Sequence, residues 1–250
     1  MGELRAIPIR GIGEIRPGDS LADKMLAALK RQRCRLARGD ILVVTHKVVS
    51  KAEGCIVPLA RVRPSARARR WARRHGRDPR VAELALSESR RVVRMRRGVL
   101  LTETHQGFVC ANAGVDLSNV DGGKSAVLLP RNPDRSAAVL HRALKRKLRL
   151  SIPVVITDSF GRPWREGLCE VAVGVAGMKV FRDFRGQRDR HGYRLRATLE
   201  AVADELACVA GLAGGKFSGT PAYIVRGFAY PRGRGRARDL VRPRARNLFR

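Results

Sequence analysis

The sequence predicts an α+β fold, a mixed sheet with interleaved helices. Three observations carry this. Short apolar runs rich in branched residues, such as "ILVV" (residues 41–44) and "IPVVI" (152–156), read as buried strands. Amphipathic stretches of helical period separate them at irregular intervals. "GVLLTET" and "GFVCANAG", joined by "HQG", read as a hairpin, which a regular parallel alternation lacks. The 250 residues, 44% of them hydrophobic, suit a single domain or two small lobes around a real core.

Taken in order, "AIPIRGIGEIRPGDS" is a short strand ending in a glycine turn. "SLADKMLAALKR" is an amphipathic helix with Ser20 as N-cap. "GDILVVTHKVVSKAEG" opens with the strand at 41–44 and then turns polar. Helices follow at 65–74 and from Pro79 to about Arg91, proline being well suited to a first helical position. After the hairpin, "VDLSNVDGGKS" is a loop and "AVLLP" a strand. A basic helix spans 136–148. "IPVVI" is a strand that ends at Ile156, and "TDSFGRPWREG" is the turn after it. "EVAVGVAG" is a strand, "ATLEAVADELACVAGL" the clearest helix, "GGKFSGT" a Gly-rich loop and "PAYIVRG" the last strand.

Composition excludes several classes. No apolar run approaches the ~20 residues of a membrane helix, and the N-terminus has no apolar signal region. A cytoplasmic protein is therefore expected. The five cysteines are scattered with no C-x-x-C pair, and the five histidines have no metal-ligand spacing. The formal net charge of +30 raises nucleic-acid binding. Against it, the charge is spread along the chain, Arg far outnumbers Lys as a GC-rich coding sequence would produce, and aromatics make up 5%, too few for a stacking platform. Nucleic acid is accordingly not expected as the partner; anionic small molecules explain part of the charge equally well.

Two glycine motifs fail on inspection. "GGKS" (122–125) lacks the upstream P-loop glycine, since Ser118 stands there. "GIG" (11–13) is not a dinucleotide fingerprint, because Arg16 stands where the third glycine belongs. Asp116 and Asp158 are more informative, because each follows a strand-like run. Two carboxylates at neighbouring strand ends can share a Mg²⁺ or Mn²⁺. They can equally cap turns. Asn119 and Ser159 add neutral oxygens nearby. Lys51 and Lys216 stand out because Lys is scarce, and a Lys in a Gly-rich loop suits a phosphate.

"GDILVVTHKVVSKAEG", "GFVCANAGVDLSNV", "TDSFGRPWREG", "VAVGVAG", "AVADELA" and "PAYIVRG" together resemble the coenzyme F420-0:L-glutamate ligase (F420 gamma-glutamyl ligase) family, in the same order and over nearly the whole chain. The resemblance implies the family's own fold, spanning residues 1–250 as one ligase domain without a fused reductase domain. It implies GTP-dependent addition of L-glutamate to F420-0 through a γ-glutamyl amide, with a divalent metal, optionally a monovalent cation such as K⁺, and a homodimer. Carried over by residue, Asp116 and Asp158 fall on metal positions with Ser159 beside them. Lys51, Asp116 and Asp158 are the expected catalytic set. Gly11, Ile12, Gly13, Thr45, His46, Lys51, Asn119, Gly214, Gly215, Lys216, Phe217 and Ser218 fall on the GTP site. Arg162, Trp164 and Arg165 are candidates for the anionic substrates. His46 stands where the family carries a small hydroxyl residue, and Lys216 where some members carry an acidic ligand. A paralogous ligase for another anionic acceptor, and a non-catalytic basic nucleotide- or nucleic-acid-binding protein, are the alternatives.

Overall fold

In the computed structural model, residues 3–215 and 217–247 are described. In chain order the strands are β1 (Arg5–Pro8), β2 (Ile41–Thr45), β3 (Ile56–Pro58), β4 (Ser89–Arg96), β5 (Val99–Thr104), β6 (Val109–Ala111), β7 (Ser125–Val127), β8 (Val154–Arg162), β9 (Arg165–Ala176), β10 (Arg182–Asp183), β11 (Leu199–Glu200) and β12 (Ala222–Arg226). The helices are α1 (Leu21–Arg31), α2 (His46–Ala52), α3 (Ala66–His75), α4 (Pro79–Ser87), α5 (Pro133–Leu148) and α6 (Val202–Gly214).

The main sheet has the order β1-β12-β2-β8-β9. Only β2 and β8 run parallel; the other three pairings are antiparallel, so the sheet is mixed and the α+β expectation holds. Residues 41–44 and 154–156 are buried throughout, because strands covered on both faces need continuous apolar runs. Helices α5 and α6 pack on this sheet, and α1 packs on α5. A second sheet, β4-β5-β6, lies with α4 over a separate apolar cluster of Leu59, Leu84, Ala85, Leu100, Val115 and Ala126. The β5–β6 hairpin forms as expected, with Leu101 opposite Ala111. The expected N-cap Ser20 forms, its side chain accepting the Asp23 N–H, and Ser65 caps α3 in the same way through the Ala68 N–H.

Beyond the short strands β3, β10 and β11, which the sequence reading lacks, three elements differ from it. "HKVVSKA" is helix α2, not a polar tail. Its two adjacent valines suggest a strand, yet His46, Val49 and Ser50 turn inward while Lys47 and Lys51 lie one turn apart. The helix from Pro79 stops at Ser87, and residues 89–96 form the bulged strand β4. Its four arginines and one serine disguise a strand by composition alone. Finally, "TDSFGR" is not a turn. The ladder between β8 and β9 continues to Arg162↔Arg165, so only Pro163 and Trp164 turn the chain. β8 loses its other neighbour after Thr157, which explains why its sequence changes from apolar to polar there.

Two carboxylates, Asp40 buried and Asp204 half-buried, tie elements together. Asp40, 1% exposed, accepts from Arg226 Nε and Nη2, both at 2.8 Å, and from the Ala37 N–H at 2.7 Å. This joins β12 to the start of β2. Asp204 on α6 accepts the Ala172 N–H of β9 at 2.8 Å. Burial pushes the Asp204 carboxyl above its ordinary pKa; the Ala172 hydrogen bond opposes this, and Glu205 adds to it.

Both yield predictions. Asp40→Ala removes the buried partner of a pair whose Arg226 is partly exposed and should cost about 2 kcal/mol in denaturant unfolding; a loss under about 0.5 kcal/mol would contradict the assigned role. Asp204→Asn should stabilise. A carboxyl whose folded pKa is raised contributes fully below the unfolded value of about 3.9, and that contribution is lost as pH rises through the folded value. At pH 7 the half-buried charge is thus a penalty, which Asn removes while keeping the acceptor. Melting at pH 7 should rise by roughly 2 °C, with the gain vanishing near pH 3. A lower melting point at pH 7 would show that the charge itself is needed.

Candidate active site

The parallel ladder between β2 and β8 ends at Thr45↔Thr157. Both strands point the same way, so His46 and Asp158 emerge together at one edge of the sheet. Antiparallel pairing brings further segments to that edge. Pro8 at the end of β1 pairs with Tyr223 near the start of β12, and Ala222 pairs with Val44. The Gly11–Gly13 turn that follows β1 and residues 217–221 that precede β12 therefore arrive at the edge where β2 ends. Open sheets bind ligands at the carboxyl ends of their parallel strands.

Helix α2 starts at this edge and touches three acidic groups. His46 is 1% exposed, with Nδ1 3.3 Å from Ser50 Oγ. Its Nε2 lies 3.3 Å from Asp158 Oδ1 but out of line for a hydrogen bond, which leaves that buried nitrogen without a partner. Lys47 Nζ sits 2.7 Å from Asp116 Oδ2 and also donates to Ser118 Oγ. Lys51 Nζ sits 2.6 Å from Glu14 Oε1, directly after the glycine turn. Asp116 itself is fixed by backbone bonds to Val127 at 3.0 and 2.8 Å, and its Oδ1 accepts the Ser118 N–H at 2.7 Å.

Burial alone would push the Asp116 carboxyl up. The hydrogen bonds from Lys47 and the Ser118 N–H outweigh burial and hold it below its ordinary value. At neutral pH it is a carboxylate paired with an ammonium. Cys110 on β6 is pushed up to about 12, first by burial and then by the Asp158 charge. It stays a thiol and is no nucleophile.

The donor set suits a hard cation. Asp116 and Asp158 offer carboxylate oxygens, and no group of three or more His, Cys, Asp or Glu gathers among the described residues. Mg²⁺ and Mn²⁺ sites need only one or two carboxylates when phosphates supply other ligands. Ser159 follows Asp158; its N–H donates to Asp158 Oδ1 at 2.8 Å and its hydroxyl to Glu170.

The remaining expected residues divide by position. Gly11 and Gly13 have φ of +71° and +77°, and no atom lies within 4 Å of the place a Cβ would take, so the turn is open on that side. Ile12 between them is buried. Thr45 is the N-cap of α2, and its N–H donates to Pro221 O at 2.9 Å. Asn119 is exposed, with φ +59°. Gly214 admits no side chain, since a Cβ would run into the Tyr223 hydroxyl. Gly215 has φ +63°, Phe217 is fully exposed, and Ser218 Oγ lies 3.3 Å from that same hydroxyl. Lys216 lies outside the described residues. Arg162, Trp164 and Arg165 stand at the far end of the β8–β9 hairpin. Arg162 is four residues beyond Asp158, some 13 Å along the strand at ~3.3 Å per residue. Trp164 is 78% exposed.

Sequence reasoning passed over Lys47, Glu14 and Glu170. One signal for Lys47 was available: it precedes Lys51 by four residues, the spacing that shares a helix face.

The sequence as a whole matches known proteins. Residues 10–227 match the model of the F420-0:Gamma-glutamyl ligase family. The chain belongs to that family. It is 43% identical over 250 residues to the coenzyme F420:L-glutamate ligase of Methanothermobacter thermautotrophicus, covering 99% of both chains. It is 42% identical to the protein of the same name from Methanopyrus kandleri, over 99% of this chain and 98% of that one. With the Methanocaldococcus jannaschii protein of that name it shares 39% over 85% of each. Among the described residues of this family member, no helix is long and apolar enough to cross a membrane.

Proposed function

We propose that this chain is a GTP-dependent ligase that joins L-glutamate to F420-0 through a γ-glutamyl amide bond. Family membership and near-full-length similarity to proteins named for this ligation support the reading. The observation that carries it is the convergence at one sheet edge: two carboxylates, two lysines and an open glycine turn, with no nucleophile–base pair among them.

That set suits activation by phosphoryl transfer. A carboxylate is a poor acyl donor. Transfer of the γ-phosphoryl of GTP to a carboxylate oxygen gives an acyl phosphate and GDP. Attack by the glutamate amine then forms the amide, releasing phosphate and a proton. Such transfer depends mostly on positioning and charge neutralisation. Lys51 and Lys47 supply positive charge on one face of α2. The turn at Gly11 and Gly13 lets backbone approach the phosphates. Asp116 and Asp158, with Ser159 beside them, would hold Mg²⁺ or Mn²⁺, which supplies charge neutralisation on the phosphoryl oxygens. His46, 1% exposed, packs against Asp158 beneath the site.

The purified protein with GTP, Mn²⁺ or Mg²⁺, L-glutamate and F420-0 should release GDP and yield a glutamylated product by mass spectrometry. Asp158→Asn preserves shape and removes the charge. Single-turnover GTP cleavage should fall by at least about 10²-fold, while the melting curve stays cooperative. Near-normal cleavage by a folded Asp158→Asn protein would remove Asp158 from the mechanism. A wild-type protein that neither cleaves GTP nor gains mass would sink the assignment.

A further inference from the structure

We propose that Lys47 is an exchangeable occupant of the Asp116 carboxylate, and that this exchange couples cation binding to nucleotide binding. The inference rests on the metal and GTP reading above and assigns a positioning role to a residue which that reading uses only for its charge.

Each oxygen of the Asp116 carboxylate already has a partner. Oδ1 takes the Ser118 N–H at 2.7 Å and Oδ2 takes the Lys47 ammonium at 2.7 Å. A divalent cation reaching Oδ2 meets a positive group already there. Held on one carboxylate the two positive groups repel, so an arriving cation weakens the Lys47 ion pair and favours its departure. Neither partner is sealed, with the Lys47 side chain 22% and the Asp116 side chain 34% exposed, and exchange requires no unfolding.

The departing ammonium needs a new anion. Lys47 and Lys51 lie on one face of α2 a turn apart, about 5–6 Å between their Cβ atoms. Lys51 is held in the same way, by Glu14 beside the glycine turn. A polyphosphate lying along this face would meet two ammonium groups, each parked on a carboxylate. The exchange is neutral overall. Asp116 trades an ammonium for the cation, and Lys47 trades a carboxylate for a phosphate oxygen. A cation arriving alone displaces Lys47 and offers it nothing. A cation arriving with polyphosphate provides the replacement partner. Each ligand therefore raises the affinity for the other, and by linkage the factor is reciprocal.

The test is Mn²⁺ binding, followed by the paramagnetic resonance signal of free Mn²⁺, to wild type, Lys47→Met and Lys47→Arg. Each is titrated alone and with a saturating imido-triphosphate analogue of GTP that cannot be cleaved. Lys47→Met should bind Mn²⁺ alone roughly threefold or more tighter than wild type, since the competing ion pair is gone. The gain in Mn²⁺ affinity on adding the analogue should shrink correspondingly. Lys47→Arg, which keeps the charge, should retain the weak wild-type affinity for Mn²⁺ alone. Lys47→Gln serves where Lys47→Met does not fold. A purely structural role for Lys47 would loosen the site and weaken Mn²⁺ binding. Unchanged or weaker binding by Lys47→Met therefore overturns the exchange while leaving the metal reading intact. No saturable Mn²⁺ binding by wild type, even with the analogue, overturns both.

Discussion

The register of one parallel ladder organises the site. β2 and β8 stay paired as far as Thr45↔Thr157, and the next residue of each strand carries chemistry. A slip of one residue would turn Asp158 to the opposite face and part it from His46. The ladder is held by apolar side chains buried on both faces of β2 and β8, not by the polar groups at its end. Packing thus fixes where the carboxylate stands, and the polar contacts only orient it. Helix α2 extends this arrangement. His46 and Lys47, adjacent in sequence, contact Asp158 and Asp116 respectively, and these lie 42 residues apart in numbering. One short helix thereby bridges two carboxylates that the chain delivers from separate places.

Legibility in the sequence followed the range of the interaction. Ser20 was readable as a cap because the bond it makes closes within three residues. The strands of the main sheet were readable because burial on both faces leaves an unbroken apolar run. Asp116 and Asp158 were readable as residues following such runs. Their partners were not. The contacts of Lys47 with Asp116 and of Lys51 with Glu14 cross 69 and 37 positions, and nothing local announces them. The extension of β8 through Arg162 was hidden for a related reason. Once β2 leaves its flank, the strand is held from one side only and its residues need not be apolar. The Arg-rich β4 was hidden by composition, since its exposed face carries the same residues as the helices before it.

The charge imbalance has a structural counterpart. With 52 basic and 22 acidic side chains, at least 30 basic groups can have no acidic partner of their own. Much of the excess sits on exposed helix faces. In α3, "ARARRWARRH", only Ala68 and Ala72 are buried. The scarce carboxylates are spent differently: Asp40 ties two strands, and Glu14, Asp116, Asp158 and Glu170 gather near the sheet edge. In so basic a molecule the acidic groups, not the basic ones, mark where the chain concentrates its specific contacts.

β12 lies between β1 and β2, so the strand nearest the C-terminus is an interior one. During synthesis β2 emerges early with both edges of N–H and C=O groups unpaired and an apolar surface on each face; β8 later covers one edge, and the other waits for β12. That strand follows about 180 residues after β2, a wait of roughly 10–35 s at ordinary ribosome speeds. Through that interval the nascent chain carries an open template for strand addition. Its many like charges then act as a keeper of solubility, because two such chains repel one another before either can pair with the wrong edge.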